Sequence, residues 1–304
     1  MISIILLTFN AEKYLDKFFV SLFENLDKCS EESEILMIDS SSNDKTVEIA
    51  RKYNVRFHII ERDEFDHGGT RTLAARISRG DILIYFTQDA LLFNEYSISN
   101  LIKHFKDKDV GAVYGRQIYY DDTNLFGKHL RLFNYPENFL IKTYEDKYKY
   151  GLKTAFLSNS FCAYRKTALE EIGYFKEKLI MGEDSYAGAM LLKAGYKLVY
   201  EPNATVFHSH SYSVFQEFKR YFDIGVFHRS EHWLLEEFGK AEGEGLKYIK
   251  SELDFLIKNR SYNLIPEYIV RNILKYLGYR LGLNYRILPK SVIKKLSMHR
   301  KWWK

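Results

Sequence analysis

The sequence predicts an α/β fold: a mostly parallel central sheet with helices on both faces, followed by a helical C-terminal region. Three observations lead there. Short apolar runs alternate with amphipathic stretches over the first two hundred residues, the pattern of a sheet covered on both sides. Polar clusters such as Ser40-Ser41-Ser42-Asn43-Asp44 follow the runs, where turns belong. After His210 strand signals fade and helical spacing dominates. The expected division is an α/β domain over 1–210 and a helical, basic region over 211–304.

Ser3–Thr8 reads as the first strand, and Glu12–Leu26 as a helix with Tyr14, Phe18, Leu22 and Leu26 on one face. Glu34–Ile38 is the second strand, ending at Asp39. Lys45–Tyr53 is a helix and Val55–Ile60 the third strand. Thr70–Ser78 is helical, Ile82–Phe86 the fourth strand, Ile98–Lys106 a helix and Val110–Tyr120 the fifth strand. Residues 121–155, rich in Tyr, Asn, Lys and Phe, lose this rhythm and are expected as a long functional loop region. Helical patterns return at Arg165–Ile172 and Asp184–Ala194, before a strand pair around Lys197–Tyr200 and Ala204–Phe207.

Hydrophobic residues make up 46% of the 304, enough for a sizeable core, and only 4 prolines argue against linkers and disorder. Cys29 and Cys162 lie far apart without metal spacing and read as buried thiols in a reducing compartment. No run approaches the roughly 18 apolar residues of a membrane span. The apolar N-terminus lacks a basic flank and reads as a buried strand, not a signal peptide. The net charge of +5 is unevenly spread: Tyr268 to Lys304 carries ten Lys and Arg and no acid, which leaves −5 on residues 1–267. That tail points to an anionic surface. Nucleic acid is the poorer explanation, because its recognition motifs are absent.

Several residues carry chemistry. Asp39, at the end of the second strand, suits an acceptor for a uracil or thymine imide N–H, or else a cap for the following turn. Asp89, in Thr87-Gln88-Asp89-Ala90 after the fourth strand, suits Mg²⁺ or Mn²⁺, which prefer oxygen ligands; a plain turn cap is the alternative. Glu183 and Asp184 open a helix, where acids complement the dipole, but dipole complementation explains the preceding Gly182 less well. His208 and His210 share one face at the end of the last strand, and one of them could complete a metal site. In Phe65-Asp66-His67-Gly68-Gly69-Thr70-Arg71 the glycines let backbone approach a ligand, and Arg71 can pair with a diphosphate.

Together these residues resemble the inverting family 2 glycosyltransferases of the GT-A fold, over about 1–210. Leu7-Thr8-Phe9-Asn10 resembles that family's first strand and turn. Asp39-Ser40-Ser41-Ser42-Asn43-Asp44-Lys45-Thr46 resembles its base-binding Asp and following turn. Gly69 to Gly80 resembles its small-and-basic helix. Asn159, Arg165, Gly173-Tyr174-Phe175 and Glu183-Asp184 resemble its acceptor side. The strings at 65–71 and 87–90 look most like bacterial rhamnosyltransferases using dTDP-L-rhamnose. In the family's usual metal motif an acid stands where this chain has Gln88.

The resemblance implies donor contacts from Asp39 (thymine), Gln88 (ribose), Arg71 (diphosphate), Thr8 and His67. It implies Asp89 and His208 as ligands to Mg²⁺ or Mn²⁺, and Asp184 as general base beside Glu183. The implied reaction is an in-line displacement that moves L-rhamnose from dTDP-L-rhamnose to a hydroxyl of a glycan or lipid-linked acceptor in cell-surface polysaccharide synthesis. UDP-linked galactofuranose, glucose or N-acetylglucosamine stays open as the donor. A non-catalytic nucleotide-sugar or glycan-binding subunit stays open as well, and so does a homo-oligomer.

In the tail, Ile269, Val270, Ile273, Leu274, Leu277 and Leu281 keep helical spacing, with Arg271, Lys275 and Arg280 on other faces. A basic helix ending in Trp302-Trp303 follows Leu288-Pro289. Such helices suit an anionic membrane interface or pack on protein. The expected location is cytoplasmic, with peripheral contact to the inner face of the plasma membrane through 268–304.

Overall fold

The computed structural model describes residues 1–239 and 242–303. Lys304, counted among the ten basic tail residues, lies outside the described residues. The strands are β1 (Ile2–Thr8), β2 (Ser33–Asp39), β3 (Arg56–Ile59), β4 (Ile82–Thr87), β5 (Leu91–Leu92), β6 (Val110–Ile118), β7 (Leu140–Lys142), β8 (Phe161–Arg165) and β9 (Lys197–Phe207). They form one sheet in the order β3-β2-β1-β4-β8-β6-β9-β5, with β7 also on β9. β1 to β4 are parallel and β6 is parallel to β9. β8 runs antiparallel to both of its neighbours.

β1 is buried along nearly its whole length, as a central parallel strand covered on both faces requires. Its register sets Thr8 beside Asp39, and Leu7 beside Thr87. The carboxyl ends of β1, β2 and β4 therefore finish together, at the edge where open α/β sheets bind ligands.

Three elements depart from the sequence expectation. Residues 121–155 are not one loop: they hold the helix Leu125–Asn134 and the strand β7. Asn124 caps that helix, its side chain accepting the Gly127 N–H at 2.8 Å. β8 was not anticipated; it fills the gap between β4 and β6 and is buried almost throughout. The expected strand pair near 197–207 is a single strand, β9. It shifts register against β6 between Gly115 and Arg116, skipping from Glu201 to Thr205. A Cβ on Gly115 would lie 2.4 Å from the Ala204 carbonyl oxygen and the Phe161 ring, so the bulge needs a glycine opposite it.

The C-terminal helices lie on the sheet's assembly and do not form a separate body. Phe222, Val226, Phe227, Leu234, Phe238 and Ile293 belong to the same buried cluster as Tyr85, Tyr164 and Leu198 of the sheet. The helices Val214–Ser230 and Ile265–Leu283 run parallel and touch through glycines. Added Cβ atoms at Gly278 and Gly282 would lie 2.5 and 2.1 Å from the Phe218 and Phe222 carbonyl oxygens. Residue 210 thus marks a change of secondary structure within a continuous core. Trp302 and Trp303 pack half-buried against this core, Trp303 edge-on to Tyr285 at 5.4 Å between centroids.

Candidate active site

One cavity of about 690 Å³ opens between the carboxyl edge of the sheet and the helix Val214–Ser230. Asp89, His208 and His210 stand on one wall, Glu183 and Asp184 on another.

Topology assembles the first wall. β5 pairs antiparallel with the end of β9, Leu91 opposite Phe207. This folds Asp89, two residues before β5, against the residues just after β9. Asp89 Oδ1 lies 3.5 Å from His208 Nε2, and Oδ2 lies 3.7 Å from His210 Nε2. The three ligand-type atoms fall within 4.8 Å of one another. Burial opposes a charge on Asp89, but the hydrogen bond and field of His208, then His210, outweigh it and hold the carboxyl well below its usual range. Burial pushes both imidazoles down, His210 to about 4, so each yields its proton readily and can offer a ring nitrogen to a metal. Gln117 on β6 accepts from the other ring nitrogen of His208, Nδ1, at 2.8 Å through its Oε1, leaving Nε2 turned to Asp89. This outer hydrogen bond is the usual means of fixing a metal-ligating imidazole. One carboxylate and two neutral imidazoles, one of them oriented from behind, fit a divalent ion such as Mn²⁺.

The second wall is the start of the helix Glu183–Lys193. Gly182 precedes it with φ of +81°, a left-handed conformation that glycine adopts without strain. A Cβ there would lie 2.8 Å from the Phe227 ring. The glycine that dipole arguments left unexplained is thus a packing requirement of the C-terminal helix. Glu183 is buried and pairs with Arg71 at 3.2 Å and Asn159 at 3.1 Å. Burial raises its pKa, but Arg71 and then His67 prevail and keep it ionised. Asp184 accepts the Ser185 N–H at 2.7 Å and the Asn159 N–H at 3.3 Å. Burial first, and the Glu183 charge second, push its carboxyl up to about 7.

The other anticipated residues sit as follows. Arg71 is buried under Glu183, with one N–H donated to the His67 carbonyl at 2.9 Å. His67 lines the cavity edge-on to His299. Gly68 and Gly69 approach the protein's own chain: a Cβ on Gly68 would fall 1.9 Å from the Lys176 carbonyl oxygen. Asp66 caps the helix His67–Ile77 by accepting the Gly69 N–H at 2.7 Å. Asp39 is fully buried and accepts from the Thr8 hydroxyl (2.8 Å), the Ser42 hydroxyl (2.6 Å) and the Ser42 N–H (2.8 Å). Gln88 brackets the backbone of Phe9, accepting its N–H at 2.8 Å and donating to its carbonyl at 3.1 Å. A carboxylate could accept but not donate, so an acid at 88 would leave the Phe9 carbonyl without its partner. Thr8, Asp39 and Gln88 form a floor at the carboxyl ends of β1, β2 and β4 and are not among the cavity's lining residues.

Four residues of the cavity were not anticipated. Gln117 orients His208 and is itself contacted by Arg131, whose N–H donates to the same Oε1. Arg220, on the helix Val214–Ser230, lines the cavity without an ion pair among the described residues; its guanidinium lies 5.8 Å from the centre of the Tyr212 ring. His299 reaches the cavity because the Met298 and His299 N–H groups donate to Asp223 at 2.9 and 3.2 Å. Burial pushes His299 down to about 4. In the sequence, Gln117 looks like an ordinary strand residue and Arg220 like surface charge on an amphipathic helix, so neither carried a signal.

Residues 3–173, more than half of the 304, match the family described as Glycosyl transferase family 2. Over 272 residues the chain is 43% identical to the O-antigen chain rhamnosyltransferase WbaN of Salmonella anatum, covering 89% of this chain and 86% of that protein. It is 42% identical to the O-antigen chain rhamnosyltransferase RfbN of Salmonella typhimurium over the same shares. Among solved structures, a mannosyltransferase of Pyrobaculum calidifontis in complex with GDP-Man and Mn²⁺ aligns with a TM-score of 0.59 at 17% identity, covering 99% of this chain and 85% of that one. TarS 1–349 of S. aureus in complex with UDP-GlcNAc aligns with a TM-score of 0.53 at 17% identity, covering 94% and 91%. These two share the GT-A fold with this chain. The chain belongs to glycosyl transferase family 2 and is a glycosyltransferase.

Proposed function

We propose that this glycosyltransferase moves L-rhamnose from dTDP-L-rhamnose to a hydroxyl of a lipid-linked glycan, with inversion, in bacterial cell-surface polysaccharide synthesis. The observation that carries the chemistry is the shared cavity, with an Asp-His-His trio on one wall and Asp184 on another. The sugar assignment is supported by the two O-antigen chain rhamnosyltransferases, 43% and 42% identical over most of the chain.

In this reading the acceptor oxygen attacks the anomeric carbon as the bond from that carbon to dTDP breaks, and the hydroxyl proton passes to Asp184. A carboxylate whose proton affinity is raised by burial and by the Glu183 charge is a better proton acceptor than an ordinary one. Glu183 does not touch the acceptor. It is a positioning residue, held ionised by Arg71, and its charge raises the basicity of Asp184. Asp89, His208 and His210 would hold Mg²⁺ or Mn²⁺, which supplies charge stabilisation to the departing diphosphate. Arg220, free of ion pairs among the described residues, offers a guanidinium to the same diphosphate. On the floor, a carboxylate has about four lone-pair directions. Three are used at Asp39, so this buried carboxylate would hold Thr8 and Ser42 in place beneath the thymine.

Competition among donors tests the reading. Purified enzyme with membrane extract as acceptor source is expected to release dTDP from dTDP-L-rhamnose and to leave UDP-glucose, UDP-galactofuranose and UDP-N-acetylglucosamine intact. Turnover of a UDP-sugar in preference to dTDP-L-rhamnose would reject the sugar assignment.

A further inference from the structure

The helix Ile265–Leu283 is packed inside out. Its inward face holds Tyr268, Arg271, Lys275, Gly278 and Gly282, all buried. The two cations are neutralised there by acids: Arg271 pairs with Glu217 at 3.0 Å and with Glu267, and Lys275 lies 3.5 Å from Glu217 and 3.6 Å from Glu252. The apolar residues face outward. Ile269 is 50% exposed, Ile273 53%, Tyr276 59% and Leu277 44%. At 100° per residue these four, with Val270 and Leu281, fill one side of the helix opposite Arg271 and Lys275. The stripe spans about 18 Å at 1.5 Å per residue. Ile287, 82% exposed, extends the apolar surface just beyond the helix.

Water is an unfavourable neighbour for such a stripe, and the surrounding charge discriminates among partners. Arg280 and Arg286 flank its C-terminal end, both exposed; Lys294, Lys295 and Arg300 are exposed further along, and the segment from 268 on has no acid. A second copy would bring the same uncompensated cations to the contact and be repelled. An anionic lipid surface complements them and accepts the apolar side chains between its headgroups. No helix among the described residues is long and apolar enough to cross a membrane, so the contact is with the surface. Trp302 and Trp303 are packed on the protein and do not provide it.

We infer that the outward face of the helix Ile265–Leu283, with Arg280 and Arg286, seats this enzyme on an anionic lipid leaflet. The inference deepens the proposed lipid-linked acceptor, but binding is read without any sugar transfer, so the two can fail separately. The test is sedimentation of the full chain with vesicles of phosphatidylethanolamine and phosphatidylglycerol, against vesicles of phosphatidylcholine alone. The parent is expected to sediment with the anionic vesicles and to be released by salt. Ile273→Asp with Leu277→Asp should lower that binding about tenfold or more, and Arg280→Gln with Arg286→Gln about fivefold per charge removed. Neither pair touches the cavity, so the thermal stabilisation by dTDP with Mn²⁺ should match the parent and certify the fold. Equal binding of parent and aspartate variant to anionic vesicles would overturn the inference, as would no binding by the parent. A parent dimer in sedimentation velocity that the aspartates split would also overturn it, in favour of a second copy.

Discussion

Asp89 and Asp184 are acids of the same type in the same cavity, and their surroundings push them in opposite directions. Both lose water, which disfavours charge. At Asp89 the hydrogen bond and field of His208, with His210, more than offset that loss, and the carboxyl stays ionised far below neutral pH. At Asp184 the nearest charge is Glu183, which has the same sign, and burial and repulsion add to raise the carboxyl to about 7. Two like acids in one site with separated proton affinities serve separate tasks. In the proposed mechanism the first remains an anionic ligand and the second takes up a proton. The difference arises from neighbours supplied by remote chain segments: β9 brings the histidines, and the helix His67–Ile77 brings the Arg71 that keeps Glu183 charged.

The strongest way to break this comparison is Asp184→Asn, expected to lower sugar transfer on the order of 10²–10⁴-fold, read as the initial rate of dTDP release with acceptor present. Asp89→Asn should lower transfer about 10²-fold, because each tenfold corresponds to ~1.4 kcal/mol of charge stabilisation and a bound ion contributes several. Gln117→Leu leaves every proposed ligand in place but frees the His208 ring. It should weaken Mn²⁺ affinity about 10–100-fold, measured by titrating the ion against activity.

A subtler effect separates Glu183 from Asp184. The base works when deprotonated, so kcat/KM for acceptor should rise with pH through about 7 and level off above it. Glu183→Gln removes the like charge, which should move that rise to lower pH and leave the plateau recognisable. A rise that stays put would show that Glu183 does not act through Asp184. The smallest effect belongs to the floor. Gln88→Glu loses the donor to the Phe9 carbonyl and should lower stability by about 1–3 kcal/mol in thermal or urea unfolding, with Mn²⁺ affinity nearly unchanged.

The alternation of strand and helix up to β6 was legible because each strand is a short apolar run buried on both faces, bounded by turn residues. β8 was not, because Phe161–Arg165 is five residues with no turn signal beyond Asn159-Ser160, and its place comes from filling the gap between β4 and β6. The helix Leu125–Asn134 was hidden by its Lys, His, Arg and Asn content, since several of those residues face inward to the cavity or to the helix Glu242–Lys258. Asp89, His208 and Asp184, which line the cavity, were singled out in the sequence by strand ends and a helix start. Gln117 and Arg220 were not, because their roles depend on pairing register and helix docking. The 265–283 helix is instructive in another way. Its apolar periodicity was plain, but periodicity cannot say which face is turned inward, and buried acids at 217 and 252 reversed the usual choice.

The division of labour between the two acids is tested most directly by calorimetric titration of dTDP, with Mn²⁺ present, into parent, Asp184→Asn and Asp89→Asn enzymes. The Asp184 variant is expected to bind as the parent does while failing to transfer sugar, and the Asp89 variant to lose the Mn²⁺-dependent part of binding. Parent-like Mn²⁺-dependent binding by the Asp89 variant, or parent-like transfer by the Asp184 variant, would contradict the account.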